Sequence, residues 1–236
     1  MTVTDIGRAA VESLAMDRSI AAEPAGRRRS RRWITAGFLV VGACLLGVSL
    51  SVEPGSPAFY PLTIGLGATW VIGAFATGPL PLGRFGTTAG TETTSRAAIL
   101  GIAVGVAVGV AFTVGALITQ FIPGVSGLVA KVLDFADYGS MVAVVLITLG
   151  NGLAEELFFR GALYSSLIGH RPVLVSTIIY VIVTLASGNP MLGFAAVILG
   201  TVCAILRRCT GGVLAPALTH VVWSAIILAT LPQIFG

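Results

Sequence analysis

The chain has 236 residues, of which 56% are hydrophobic and only 10% are charged, and its mean hydropathy is +0.97. This balance excludes an ordinary soluble domain and is typical of a protein embedded in a membrane. The formal net charge is +4. We expect the lipid bilayer, and no nucleic acid, as a partner.

Apolar runs of about 20 residues predict helices that cross a hydrocarbon core about 30 Å thick. We therefore predict an all-α fold, a polytopic transmembrane helix bundle with about seven spans. The spans run over residues 33–52, 60–81, 97–121, 140–168, 172–188, 190–207 and 212–234. The fourth run is interrupted by charged residues and the fifth is short, so these two give the weaker hydropathy signals.

The first 32 residues are polar, charged and poor in apolar periodicity. They predict a mobile cytoplasmic tail, followed by the bundle over residues 33–236. The arginines of "RRRSRRW" at the end of this tail give the orientation, because Lys and Arg in short loops stay on the cytoplasmic side. Contact with anionic headgroups is a second role for this block.

The later loops agree with this orientation, because their arginines fall on the same side as the first block: Arg84, Arg96, Arg171, Arg207 and Arg208. We expect an integral protein of a bacterial plasma membrane, with its N-terminus in the cytoplasm. Seven spans then leave the C-terminus outside.

The third span carries Gly101, Gly105 and Gly109, one glycine every four residues on one helix face. Such a face permits close packing of helices. Packing within the monomer is the first interpretation, and a homo-oligomer through this face is the alternative.

The fourth span contains the stretch "GNGLAEELFFRGALYSSL", in which Glu155, Glu156 and Arg160 lie within six residues of one another. A charged side chain at the centre of a membrane helix costs roughly 2.5 to 3.5 kcal/mol on insertion scales unless it is paired, neutralised or wetted. Glu156 and Arg160 are four residues apart, so we expect them to form an ion pair. An ion pair that locks the orientation of the helix is sufficient reason for both.

Glu155 is rotated about 100° from Glu156 and shares a stripe with Asn151 and Phe159, with no counter-charge in its own helix. A carboxylate in a partly wetted apolar pocket is a candidate general base. The other strong titratable group of the membrane sequence is His220, in "APALTHVVWSAI" of the last span. Its depth is compatible with that of Glu155, so both are expected to line one cavity. A satisfied core histidine is the alternative.

These residues resemble the CAAX-protease and bacteriocin-processing family of intramembrane proteases, also called CPBP or Abi proteins. Its E-E-x-x-x-R motif is matched by Glu155, Glu156 and Arg160 in "EELFFR". Its last motif, H-x-x-x-N or H-x-x-x-D, is matched by "TGGVLAPALTHVVWS" as far as His220. The resemblance covers about residues 140–230.

Two positions depart from the family pattern. The middle motif, F-x-x-x-H, is read here as Tyr180 at the aromatic position and Thr184 at the histidine position. In the last motif, Ser224 replaces the Asn or Asp. Thr184 can donate a hydrogen bond to water but cannot take a proton near pH 7, so activation of water would depend on Glu155 alone.

The resemblance implies a membrane-embedded peptidase, a hydrolase that cuts a peptide or membrane-protein substrate. It assigns catalysis to Glu155 as the general base, to His220 as the oxyanion donor, and to Glu156. Supporting roles fall to Arg160, Tyr180, Thr184, Ser224 and Asn151. Glu156 with Arg160 would hold the site in shape.

The resemblance also allows a metal-dependent reaction, with Glu155, Glu156 and His220 as the ligands. Zinc normally takes three or four protein ligands. One of the two glutamates is expected to be tied to Arg160, so a divalent metal such as zinc is disfavoured and no cofactor is expected.

Two alternatives come from other classes of function. Thr184 and Ser224 fit a catalytically silent relative that binds membrane proteins or peptides in the same cavity. A small transporter is the other, since intramembrane acids also serve proton relays. The sequence shows no inverted repeat and no pair of broken helices, which speaks against a transporter.

Overall fold

The structure is a computed structural model that describes residues 24–86, 93–137 and 140–235. Over these ranges the chain forms a bundle of helices. In chain order they are α1 (Ala25–Ser49), α2 (Phe59–Ala76), α3 (Thr94–Thr119), α4 (Pro123–Asp137), α5 (Met141–Glu156), α6 (Pro172–Leu185), α7 (Pro190–Thr210) and α8 (Leu214–Phe235). After α5 the chain continues through a π-helical segment, Leu157–Leu163, into a last α-helical turn, Tyr164–Ser166.

Among the described residues, six helices are long and apolar enough to cross a membrane, and α5 counts as one of them when its continuation to Ser166 is included. The predicted all-α bundle of about seven spans is confirmed, and the protein is an integral membrane protein. The predicted fifth span is α6, which has only 14 residues. Its length of about 21 Å is less than the thickness of the hydrocarbon core.

Although it is short, α6 joins the two ends of the bundle. It begins directly after the end of the α5 span, beside the start of α1, where Arg32 Nε donates to the Ser166 carbonyl at 3.2 Å. At its other end, the side chain of Asn189 donates to the Leu128 carbonyl of α4 at 2.7 Å. Helix α6 therefore runs from the end of the bundle where α1 begins to the end where α4 lies.

Helix α4 lies where the sequence predicted a loop between the third and fourth spans. Lys131 and Asp134 are exposed on it, and Phe135 stacks on Phe59 of α2 with ring centroids 4.8 Å apart. The helix has 15 residues. It is too short and too charged to give a membrane-span signal, and so hydropathy alone missed it.

Helix α1 begins at Ala25, so it includes the last residues of the stretch 1–32 that the sequence predicts as a tail. Arg31 is buried, and Arg32 is bonded to the end of the α5 span. Arginine can lie here because its long side chain reaches polar groups at the ends of neighbouring helices. Residues 1–23 of the predicted tail lie outside the described residues.

The turn between α7 and α8 is bound to the loop between α2 and α3. Three backbone hydrogen bonds join them: Arg84 N to Thr210 O at 2.8 Å, Val213 N to Pro81 O at 2.9 Å, and Leu214 N to Leu82 O at 3.1 Å. Gly211 caps α7 in the left-handed conformation, with φ 69°. At Gly212 a Cβ atom would overlap the backbone of Leu82 and Gly83. The "TGG" of the last motif is thus required by this close approach, which sets where α8 begins.

An aromatic cluster fills the core between α2 and the π-helical segment. Trp70 packs against Phe158 and Phe159, with ring centroids 4.8 and 5.1 Å away. Gly42 of α1 lies under the Trp70 ring, where any Cβ atom would overlap it. The cluster fixes the π-helical segment against α1 and α2.

The glycine face of α3 packs within the monomer, against α8. Gly101, Gly105 and Gly109 are buried. A Cβ at Gly101 would lie 2.5 Å from the Ala215 carbonyl oxygen, and Thr219 Oγ1 donates to the Gly101 carbonyl at 2.9 Å. Within the monomer this face is therefore covered by α8.

Candidate active site

Glu156 lies at the centre of a buried network of three charged or titratable side chains. Its Oε2 is 3.2 Å from Arg160 Nε, and its Oε1 is 2.9 Å from His220 Nδ1. The side chain of Glu156 is 0% exposed and that of Arg160 is 1% exposed. The predicted ion pair is confirmed, and His220 is added to it from α8. Both oxygens of Glu156 are thus engaged.

Arg160 extends the network to two more helices. Its Nη2 donates to the Gly200 carbonyl of α7 at 3.0 Å. Its guanidinium also covers the ring of Tyr180 on α6, with Cζ 4.6 Å from the ring centroid. A buried charge needs this many partners, because removing a charged group from water has a large desolvation cost.

Glu155 points to a different neighbour and is only half-buried. Its Oε2 accepts a hydrogen bond from the Tyr180 hydroxyl at 2.7 Å. The two adjacent glutamates therefore have separate environments: Glu156 is enclosed and doubly paired, while Glu155 has a phenol as donor and part of its surface accessible.

The sequence placed His220 near the glutamates but did not distinguish between them. The structure pairs its Nδ1 with Glu156, and the ring packs edge-on against Trp223. Gly152 of α5 allows this approach, because a Cβ there would lie 3.1 Å from the imidazole Cδ2. His220 is therefore not an isolated core histidine.

Three of the supporting residues have other surroundings. Thr184 Oγ1 donates to the Tyr180 carbonyl at 2.9 Å, and Asn151 Nδ2 donates to the Ile147 carbonyl at 3.0 Å, each within its own helix. Ser224 is buried on α8, one turn beyond His220. The single proton of the Thr184 hydroxyl is donated inside α6.

The π-helical segment begins directly after Glu156 and contains Arg160. A π-helix has a wider turn than an α-helix and is frequent at functional sites. The Leu80 side chain packs against Gly161, where a Cβ would be only 2.8 Å away. The small residue after "EELFFR" lets the Leu80 side chain approach this closely.

Arg207 of α7 holds the π-helical segment from the other side. Its Nε donates to the Arg160 carbonyl at 2.8 Å, and its guanidinium covers the Tyr164 ring with Cζ 4.7 Å from the centroid. The side chain is only 1% exposed. Arg207, which the sequence places at the end of the sixth span, is therefore buried inside the bundle.

Arg160 and Arg207 form a reciprocal pair of contacts between the π-helical segment and α7. The Arg160 side chain bonds the backbone of α7, and the Arg207 side chain bonds the backbone of Arg160. Gly200 and Arg207 are seven residues apart, which puts them on one face of α7. That spacing is the only signal in the sequence that could have found Arg207.

The side chains present do not fit a metal ion. Among the described residues no group of three His, Cys, Asp or Glu side chains is arranged to hold one. Arg160 and His220 engage both oxygens of Glu156, and His220 Nδ1 is engaged as well. Glu155 and the second imidazole nitrogen are fewer donors than zinc normally takes.

The structure thus places a partly exposed glutamate, Glu155, beside a buried carboxylate–guanidinium–imidazole network inside a polytopic helix bundle. A family comparison covers this part of the chain. Residues 137–226 match the family model described as type II CAAX prenyl endopeptidase Rce1-like. This match confirms the resemblance to the CAAX-protease family, a family of proteases, over the part of the chain that carries the site. Neither the curated proteins nor the solved structures contain a significant match.

Proposed function

We propose that the protein is an intramembrane endopeptidase that hydrolyses a peptide or membrane-protein substrate with water activated by Glu155. The observation that carries the proposal is that the two adjacent glutamates have different surroundings. Glu156 is enclosed by Arg160 and His220, whereas Glu155 is half-buried and held by one phenol. The family match over residues 137–226 supports peptide hydrolysis as the reaction.

In this proposal the reaction begins at the accessible part of Glu155. A water molecule forms a bond from its oxygen to the carbonyl carbon of the scissile peptide, and the Glu155 carboxylate takes one proton from it. The tetrahedral intermediate then breaks its carbon–nitrogen bond. The proton held by Glu155 passes to the leaving nitrogen, so that a carboxylic acid and an amine are released.

His220 is the candidate donor to the oxyanion that forms in this step. Its Nδ1 faces Glu156, and its Nε2 is the remaining nitrogen. Glu156 holds the imidazole ring through Nδ1, and a donor held in place before the reaction stabilises developing negative charge most effectively.

Arg160 and Glu156 act on the reaction by holding the other groups. Arg160 joins Glu156 to the α7 backbone and to the Tyr180 ring. A displacement of about 1 Å at a reacting group can reduce the rate by about 100-fold. The buried ion pair therefore has a positioning role.

We also propose that the arginine-rich end of the bundle faces the cytoplasm. The beginning of α1, the end of the α5 span and the turn between α7 and α8 all lie at this end. The excess of arginine there follows the positive-inside rule.

The test is cleavage of a diverse library of peptides and membrane proteins by the purified protein, with products read by mass spectrometry. Wild type is compared with Glu155→Gln, which keeps the size of the side chain. The matched control is Glu53→Gln, an exposed glutamate between α1 and α2. We expect cleavage by wild type and the control, and a loss of at least about 100-fold in Glu155→Gln. Equal cleavage by Glu155→Gln would refute the proposal.

A catalytically silent protein that binds peptides or membrane proteins in the same site is the second candidate. It is favoured by Thr184, whose hydroxyl proton is donated to the backbone of α6. The discriminating variant is Thr184→His in the same library assay. Silence in wild type together with cleavage by Thr184→His would select the second candidate.

A further inference from the structure

We propose that the Tyr180 hydroxyl positions Glu155 for the reaction. It does so from one helical turn before Thr184, the residue at the histidine position of the middle motif. This inference rests on the proposed function, since it assigns a role in the reaction carried by Glu155. It follows from the contacts of Tyr180 on α6.

The first observation is the contact itself. Tyr180 donates its only hydroxyl proton to Glu155 Oε2 at 2.7 Å. Hydrogen bonds to an ionised acceptor are shorter and about twice as strong as neutral ones. With one oxygen held, the second oxygen of the carboxylate is left to bind and orient a water molecule.

The second observation is that the Tyr180 ring is fixed on several sides. The Arg160 guanidinium lies 4.6 Å from its centroid, and Phe159 packs edge-on at 4.8 Å. Gly200 lies against the ring, where a Cβ would be 2.8 Å from it. The side chain is 5% exposed. The phenol is therefore held in place before a substrate arrives.

The third observation concerns Thr184, one turn further along the same face of α6. Its hydroxyl donates to the Tyr180 carbonyl at 2.9 Å. Serine and threonine hydroxyls in helices commonly bond in this way to the carbonyl four residues earlier. The donor that α6 directs at Glu155 is thus the phenol of Tyr180. In the middle motif the donor to Glu155 is thus at the aromatic position, one turn before Thr184.

The test in the active protein compares Tyr180→Phe with wild type, using a substrate that wild type cleaves. Tyr60→Phe, at the beginning of α2 beside Phe59, is the matched control. We expect Tyr180→Phe to lower kcat by about 10- to 100-fold with little change in KM, because it removes the orientation of the base and no contact with substrate. Adding Thr184→His to Tyr180→Phe should recover part of the loss, which a purely structural defect would not allow.

A second measurement does not depend on turnover. A hydrophobic carbodiimide modifies accessible carboxyl groups in membrane helices, and mass spectrometry gives the rate of labelling at Glu155. We expect labelling at least about 3-fold faster in Tyr180→Phe than in wild type, because one carboxylate oxygen loses the phenol that covers it. Tyr60→Phe should label as wild type does.

The outcomes separate this inference from the proposed function. Unchanged labelling in Tyr180→Phe, or turnover equal to or above wild type, would overturn the role of Tyr180. Altered labelling in a protein that cleaves nothing would keep the positioning contact and refute the endopeptidase. Turnover that needs Glu155 but not Tyr180 would keep the endopeptidase and remove only the inference.

Discussion

Replacing Arg207 with methionine should destabilise the bundle far more than the same replacement at Arg208. Methionine keeps a long side chain but removes the guanidinium. Arg207 is 1% exposed and donates to the Arg160 carbonyl, whereas the adjacent Arg208 is exposed. Both changes remove one positive charge from the same end of α7, so any effect on membrane orientation is shared.

The magnitude follows from two of the contacts that Arg207→Met removes. A hydrogen bond from a charged donor contributes about 1.5–3 kcal/mol, and a desolvated cation–π contact up to about 2 kcal/mol. Hydrogen bonds between membrane helices have measured values nearer 0.6 kcal/mol, which lowers the sum. We expect Arg207→Met to lower the free energy of unfolding by about 2–4 kcal/mol, and Arg208→Met by less than about 0.5 kcal/mol.

The assay is unfolding in detergent micelles, followed by the tryptophan fluorescence of the chain. Trp70 reports directly, because it packs on Phe158 and Phe159 of the π-helical segment that Arg207 holds. Arg207→Lys adds a second comparison, since it keeps the charge but loses the planar group over Tyr164. Equal destabilisation by Arg207→Met and Arg208→Met would refute the reciprocal contacts between α7 and the π-helical segment.

Two further predictions concern stability. Glu156→Gln leaves the buried Arg160 without its counter-charge and should lower the free energy of unfolding by about 3–5 kcal/mol, while Glu155→Gln stays close to wild type because that side chain is half-buried. Similar losses in both variants, measured by chemical unfolding, would contradict the separate environments of the two glutamates. Gly101→Ala places a Cβ 2.5 Å from the Ala215 carbonyl oxygen and should cost about 1–3 kcal/mol, whereas Gly115→Ala, on the same helix with open space around it, should be neutral or stabilising. Thermal melting of the two alanine variants checks this, and equal melting temperatures would exclude the tight packing of α3 on α8.

The Glu156–Arg160 pair was predictable because its geometry is local. Residues four apart on a helix are neighbours whatever the rest of the chain does. The helices that cross the membrane were predictable for a similar reason, since the length and hydropathy of each segment are sufficient to identify it. The amphipathic helix α4 was not, because hydropathy cannot distinguish a short charged helix from a loop.

The partner of His220 could not be chosen from the sequence. Depth along the helices placed it near both Glu155 and Glu156, which are adjacent. Only the rotation of α8 about its axis decides between them, and that rotation depends on the packing of Ala215 and Thr219 against the glycine face of α3. The contact between Thr219 and Gly101 joins residues more than 100 positions apart, so no local pattern in the sequence indicates it.

The burial of Arg207 could not be predicted for a related reason. Positive charge near the end of a span is ordinarily an orientation signal, and a single sequence does not show whether the side chain turns outward or inward. It turns inward here because the Arg160 carbonyl and the Tyr164 ring lie there to receive it.

The sequence by itself determined that the chain is an all-α membrane bundle, where most of its spans lie, and that one span carries an ion pair beside a second glutamate. Hydropathy and helical periodicity are properties of each segment alone, so these features needed no knowledge of the fold. Only the tertiary structure decided that His220 pairs with Glu156, that Tyr180 pairs with Glu155, and that Arg207 of α7 bonds to the π-helical segment. These contacts depend on how the helices are rotated and packed against one another. That packing is determined by side chains that are distant from one another in the chain.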